Sequence, residues 1–164
     1  MNVLLCATRG TRLTEPGGRL DEMPEYPGRD GSPGPDGRRH GPPSVPRGTC
    51  VVDPLPFGAP FVPAGPDAGY HGVVPGGMWM SDERGCLVSA GPRGTCLRHP
   101  DDVVHTDRRS GAPRLGGRCG LDDGHKGVNH VCACGAEVAI VCTDCCGGHG
   151  TRLVPDAVPV EAAP

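Results

Sequence analysis

Aromatic side chains are nearly missing from this chain. Five occur in 164 residues: Trp79, Tyr26, Tyr70, Phe57 and Phe61. Aliphatic residues are also sparse, and Val, Leu, Ile and Phe together number 30. That falls below the fifth or so of the chain that a globular domain ordinarily devotes to them. Little apolar area is therefore available to offset chain entropy. A core this thin calls for staples, either disulfides or metal. Lysine is almost absent: Lys126 stands alone against fifteen arginines. With 28 glycines and 20 prolines, this is the signature of GC-rich codons, so part of the Gly/Pro excess answers no structural demand.

Other absences exclude whole classes of function. No stretch approaches the ~18 consecutive apolar residues of a membrane span. The run Val3-Leu4-Leu5 is too short for a secretory signal and no basic segment precedes it. The expectation is a cytoplasmic protein with no membrane association. In a reducing compartment, clustered cysteines bind metal or catalyse more often than they form disulfides. No phosphate-binding loop, dinucleotide glycine pattern, G-x-S-x-G or H-E-x-x-H occurs. The adjacent pairs Asp101-Asp102 and Asp122-Asp123 read as turn caps or solvated carboxylates. The chain reads as a non-enzyme.

What is present is uneven along the chain. Residues 1–45 are rich in proline and glycine and show no sustained apolar period, which predicts a disordered or loosely ordered segment. Residues 46–113 contain a short repeat: PRGTCVVDP at 46–54 is echoed by PRGTCLRHP at 92–100. Each copy reads as a turn, then an extended stretch stopped by proline. Between them, GGMWMSDERGCLVSA reads as a hairpin, with Met78-Trp79-Met80 on one arm, a turn over 82–85, and Cys86-Leu87-Val88 on the other. A small antiparallel meander follows, with Trp79, Phe57 and Phe61 as core aromatics. His99-Pro100-Asp101-Asp102 suggests a short helical turn capped by Asp101. From Arg114 to Val154 there is no proline, which marks a cysteine-rich subdomain over 114–154. Residues 155–164 read as a flexible tail. The predicted fold class is small, mainly β and irregular: a short antiparallel meander, a zinc-ribbon or knuckle-like C-terminal subdomain and a disordered N-terminus.

The proline-free window holds Cys119, Cys132, Cys134, Cys142, Cys145 and Cys146. Zinc takes four thiolate or imidazole ligands at tetrahedral corners, commonly as two pairs presented by two turns. Cys142 and Cys145 have the C-x2-C spacing. Cys132-Ala133-Cys134-Gly135 is one residue short, but its glycine admits the left-handed conformation that turns backbone amides toward the sulfurs. The run AEVAIV, 136–141, reads as one strand between the two pairs. Cys119 can return to the site from a glycine-rich loop upstream. Cys146 reads as a non-ligand beside Cys145. Cys6, Cys50, Cys86 and Cys96 read as buried thiols. His149 has a permitted spacing on a loose segment, and His125 and His130 read as loop surface. The cofactor expected is one Zn²⁺.

The segment Cys119-Gly120-Leu121-Asp122, Gly127, Asn129, Cys132 to Ala139 and Asp144-Cys145 resembles a family of uncharacterised, mostly actinobacterial small proteins. GTCVVDP and GTCLRHPDDVV upstream look similar to it as well. This chain departs from that pattern at Arg118, Val128 and Cys146, where a cysteine, a proline and an aromatic residue are common. The resemblance implies Cys119, Cys132, Cys134 and Cys145 as ligands, whereas spacing prefers the Cys142–Cys145 pair. Five candidates therefore stand for four places: Cys119, Cys132, Cys134, Cys142 and Cys145.

The charge balance narrows the role. Residues 119–164 carry two basic and six acidic side chains. Nucleic-acid modules are normally basic because phosphate neutralisation supplies much of their affinity. The expectation is a structural zinc-binding protein serving as an interaction module for another protein. Two alternatives stand beside it: a thiol redox switch or iron–sulfur sensor, and a zinc-ribbon protein associated with nucleic acid.

Overall fold

The computed structural model describes residues 1–26, 28, 32–65, 80–111, 122–143, 145 and 148–162. The expectations placed on Met78, Trp79, Cys119 and Cys146 lie outside these. The described chain is mainly β. In order, the strands are β1 (Asn2–Leu4), β2 (Gly18–Arg19), β3 (Thr49–Asp53), β4 (Phe61–Pro63), β5 (Met80–Asp82) and β6 (Gly85–Ser89). They continue with β7 (Thr95–Arg98), β8 (Thr106–Arg108), β9 (His130–Cys132), β10 (Glu137–Cys142), β11 (Gly150–Leu153) and β12 (Val160–Ala162). Seven of them form one sheet in the order β2-β3-β7-β11-β10-β9-β8. Only the β2–β3 pair in it is parallel. A smaller sheet has the order β4-β6-β5, and β1 pairs with β12.

The sequence repeat becomes the middle of the large sheet. β3 and β7 lie antiparallel, with Val51 opposite Leu97 at the centre, Cys50 opposite Arg98 and Val52 opposite Cys96. The two copies are thus related by a local twofold. Gly48 and Gly94 begin the two strands at φ of 71° and 66°, a conformation that costs an L side chain and not a glycine. Val51 and Leu97 bury together with Val45. The hairpin over 80–89 forms with its turn between Asp82 and Gly85, as the sequence predicts. Asp82 orders that turn by accepting from the Arg84 amide at 2.8 Å. The turn at Pro100–Asp102 is a 3-10 turn, and its cap is His99, which accepts from the Asp101 amide. Asp102 is instead buried and accepts from the Gly48 amide at 2.6 Å.

β10 runs between β9 and β11, and its sequence EVAIVC is buried over most of its length. Ile140 and Cys142 pack against Phe57 on one face. A register shift between Glu137 and Ala139 lets the consecutive residues Val138 and Ala139 join one cluster, as a bulge does. That cluster is the largest among the described residues: Leu4, Cys6, Leu13, Cys132, Val138, Ala139, Leu153 and Val158.

Its membership corrects the expectation of a disordered N-terminus. Leu4, Cys6, Leu13 and Thr14 are fully or nearly fully buried. Thr14 Oγ1 accepts from the Leu4 amide at 3.0 Å, and Leu13 N–H donates to the Leu4 carbonyl. The predicted flexible tail also orders up to residue 162: Val158 joins the core and β12 pairs with β1, Asn2 opposite Ala162. The two ends of the chain close on each other across the sheet. Strands from 46–113 and from 114–154 share the large sheet, because β7 pairs with β11 and β8 with β9.

Candidate metal centre

Two turns meet at the edge of the main core. The first follows β1. Cys6 N–H donates to the Thr11 carbonyl, and the Cys6 carbonyl accepts from Gly10 at 2.7 Å. The second joins β9 to β10. Cys132 N–H donates to the Ala136 carbonyl, and the Cys132 carbonyl accepts from Gly135 at 2.8 Å. Gly135 holds φ 86°, the left-handed geometry its place after the cysteine pair suggested.

The turns bring Cys6, Cys132 and Cys134 together, with their sulfurs all within 4.8 Å of one another. Cys6 Sγ and Cys134 Sγ lie 3.6 Å apart. A tetrahedral site with metal–sulfur bonds of ~2.3 Å has sulfur–sulfur edges of about 3.8 Å, close to the Cys6–Cys134 separation. This group can hold a metal ion. Cys6 and Cys132 are buried and Cys134 half-buried. Among the described residues no further cysteine, histidine or carboxylate joins them.

The electrostatics favour anionic sulfur at Cys6. Burial raises the pKa of Cys6, but the backbone amides of Thr8 and Arg9 and the sulfurs of Cys134 and Cys132 outweigh it, so the net direction is down. At Cys134 the Ala136 amide acts downward, while burial and the sulfurs of Cys6 and Cys132 carry the thiol up overall. Cys6 and Cys134 shift in opposite directions, as neighbouring thiols competing for one negative charge do, and a cation removes that competition.

The expected ligands are distributed differently. Cys132 and Cys134 are in the cluster. Cys142 is not: it is buried beside Phe57 and Ile140 and its Sγ donates to the Asp123 carbonyl at 3.2 Å. The cause is β10 itself. Six extended residues carry its far end about 17 Å from the Cys132 turn, so the strand that links the two cysteine pairs also separates them. Cys145 is buried and disulfide-bonded, so in this state it has no thiolate to offer. Cys119 lies outside the described residues. The residue that spacing missed is Cys6, set aside above as a buried thiol in a disordered segment. Its signal was Cys6-Ala-Thr-Arg-Gly10, a cysteine-led turn closed by glycine, which opens with the same Cys-Ala as Cys132-Ala-Cys-Gly135.

Comparisons with protein-family models, curated proteins and solved structures find no match to this chain. The described residues include no helix long and apolar enough to cross a membrane.

Proposed function

We propose that this is a structural zinc protein in which Cys6, Cys132 and Cys134 hold one Zn²⁺ between the N-terminal turn and the β9–β10 turn. The convergence of three sulfurs from two amide-lined turns carries the reading. All-thiolate donors suit zinc or an iron–sulfur cluster over hard cations. The fourth ligand would come from outside the described residues or from a partner. The gain would be large for this chain, since binding energy at a structural zinc becomes folding energy and apolar residues are few. A protein so stapled would present its surface to another protein, and the acidic residues after 119 disfavour nucleic acid as that partner.

Elemental analysis of purified protein tests the metal. One zinc per chain with no visible absorption supports the reading. Brown protein with visible charge-transfer bands would replace zinc with an iron–sulfur cluster, and a metal-free chain that stays folded in chelator would end the proposal.

A further inference from the structure

A second pair of cysteines lies apart from the metal centre. Cys50 and Cys96 come from the two copies of the repeat and occupy diagonal positions on neighbouring strands β3 and β7, so they share one face of the sheet. The two thiols are close enough to interact. Both line a cavity of about 250 Å³ that Arg19 and Arg98 also line. The other walls, from β1, β11 and the segment after it, contribute residues such as Asn2, Leu4, Leu153 and Val158, and no ionisable group.

Arg98 is the unusual member. It is only 1% exposed, and its guanidinium donates to the Glu15 carbonyl. Its Nε is buried without a partner, and among the described residues no carboxylate pairs with it. Room for the group comes from Gly17, where a Cβ would lie 2.2 Å from Arg98 Nη1. A buried cation demands a counter-charge. The residue directly across the strand pair is Cys50, and the guanidinium charge acts on its thiol.

We propose that Cys50 and Cys96 form a thiol–disulfide exchange site, with Cys50 as attacking thiolate, Cys96 as resolving thiol and an anionic low-molecular-weight disulfide as substrate. The cavity admits one arm of such a molecule, and Arg19 and Arg98 match its negative charge. In the first step the Cys50 sulfur attacks one sulfur of the substrate. The new bond joins Cys50 to that sulfur, the substrate S–S bond breaks, and one thiolate leaves. In the second step Cys96 gives its proton to a departing thiolate or to water, and its sulfur attacks Cys50. The second substrate thiolate leaves and a Cys50–Cys96 disulfide remains. The substrate gains two electrons and the dithiol loses two. Diagonal neighbours on adjacent strands lie about 7–8 Å apart, so closing the Cys50–Cys96 bond requires a local shift of β3 against β7.

The Cys96 thiol hydrogen bond, opposed by burial and joined by Arg98 and Arg19, lowers the Cys50 pKa to about 6. Cys96 is raised, by that same bond, by burial and by the charge on Cys50. A low-pKa thiolate is more abundant but intrinsically less nucleophilic. The two effects combine to a rate advantage over an ordinary thiol of about tenfold at pH 6 and only about twofold at pH 7. The test therefore belongs at pH 6, with the full chain and one equivalent of dithio-bis-nitrobenzoate, a small dianionic disulfide that releases a yellow thiolate. Wild type is expected to release two thiolates per chain in a fast phase and retain no adduct, and peptide mapping should find Cys50 joined to Cys96. Cys96→Ser should release one thiolate and keep the adduct on Cys50. Cys50→Ser should lose the fast phase, and Arg19→Gln, at an exposed position, should slow it. A fast phase in wild type that maps to any other cysteine would overturn the proposal without reliance on a variant.

Discussion

Single residues in this chain carry more than their share of the structure, because the apolar inventory is short. Arg152 is an example. Its guanidinium bonds Asp53 Oδ2 at 2.9 Å and lies 4.1 Å over the Phe57 ring, with both charged side chains mostly buried. Removing one partner of a fully buried pair costs about 3–5 kcal/mol. For this slightly exposed pair, Arg152→Met should lower unfolding free energy by about 2–4 kcal/mol in a urea titration, and Asp53→Asn by a similar amount. At the same scale, Cys132 and Cys134 were legible in the sequence as candidate ligands, because C-x-C-G states a turn and two closely spaced thiols in four residues. Cys6 was not. A candidate ligand contributed singly has no pair spacing, and the sulfurs beside it lie more than a hundred residues away.

Among the elements, the ends of the chain are the surprise. β1 and β12 are three residues each and pair only with each other in their sheet. Strands that short have no period to read, and their partner is at the opposite terminus, so composition alone suggested disorder. The repeat strands β3 and β7, the hairpin of β5 and β6, and the apolar run of β10 were legible because each carries a local turn signal or a continuous buried face. The N-terminal segment is tied down by its core contacts, and Leu13 shows it best at 0% exposure. Leu13→Ala should cost about 2–5 kcal/mol, measured by chemical denaturation. An effect of a few tenths would mean that residues 1–20 do not pack as described.

Across the whole molecule, a half-buried histidine links stability to pH. Burial lowers the pKa of His149, and the nearby His40 and His99 add to the shift against a smaller opposing effect of Asp101. His149 stacks on His40 with ring centroids 5.6 Å apart, and His40 bonds Asp36. A histidine lowered in the folded state takes up its proton more readily in the unfolded chain. Its stability contribution is therefore complete above the unfolded pKa of ~6.5 and is lost as pH falls below that toward the folded value. Thermal melting between pH 7 and pH 5 should show this fall, and His149→Gln should flatten it. The larger claim is that a metal joins the N-terminal turn to the β9–β10 turn and so closes a seven-stranded sheet with few apolar residues. Native mass spectrometry of wild type, Cys6→Ser and Cys142→Ser, each with and without chelator, tests it most directly. One zinc on wild type and on Cys142→Ser, none on Cys6→Ser, and loss to chelator are the predicted masses. A Cys6→Ser protein that keeps its full zinc would contradict the account.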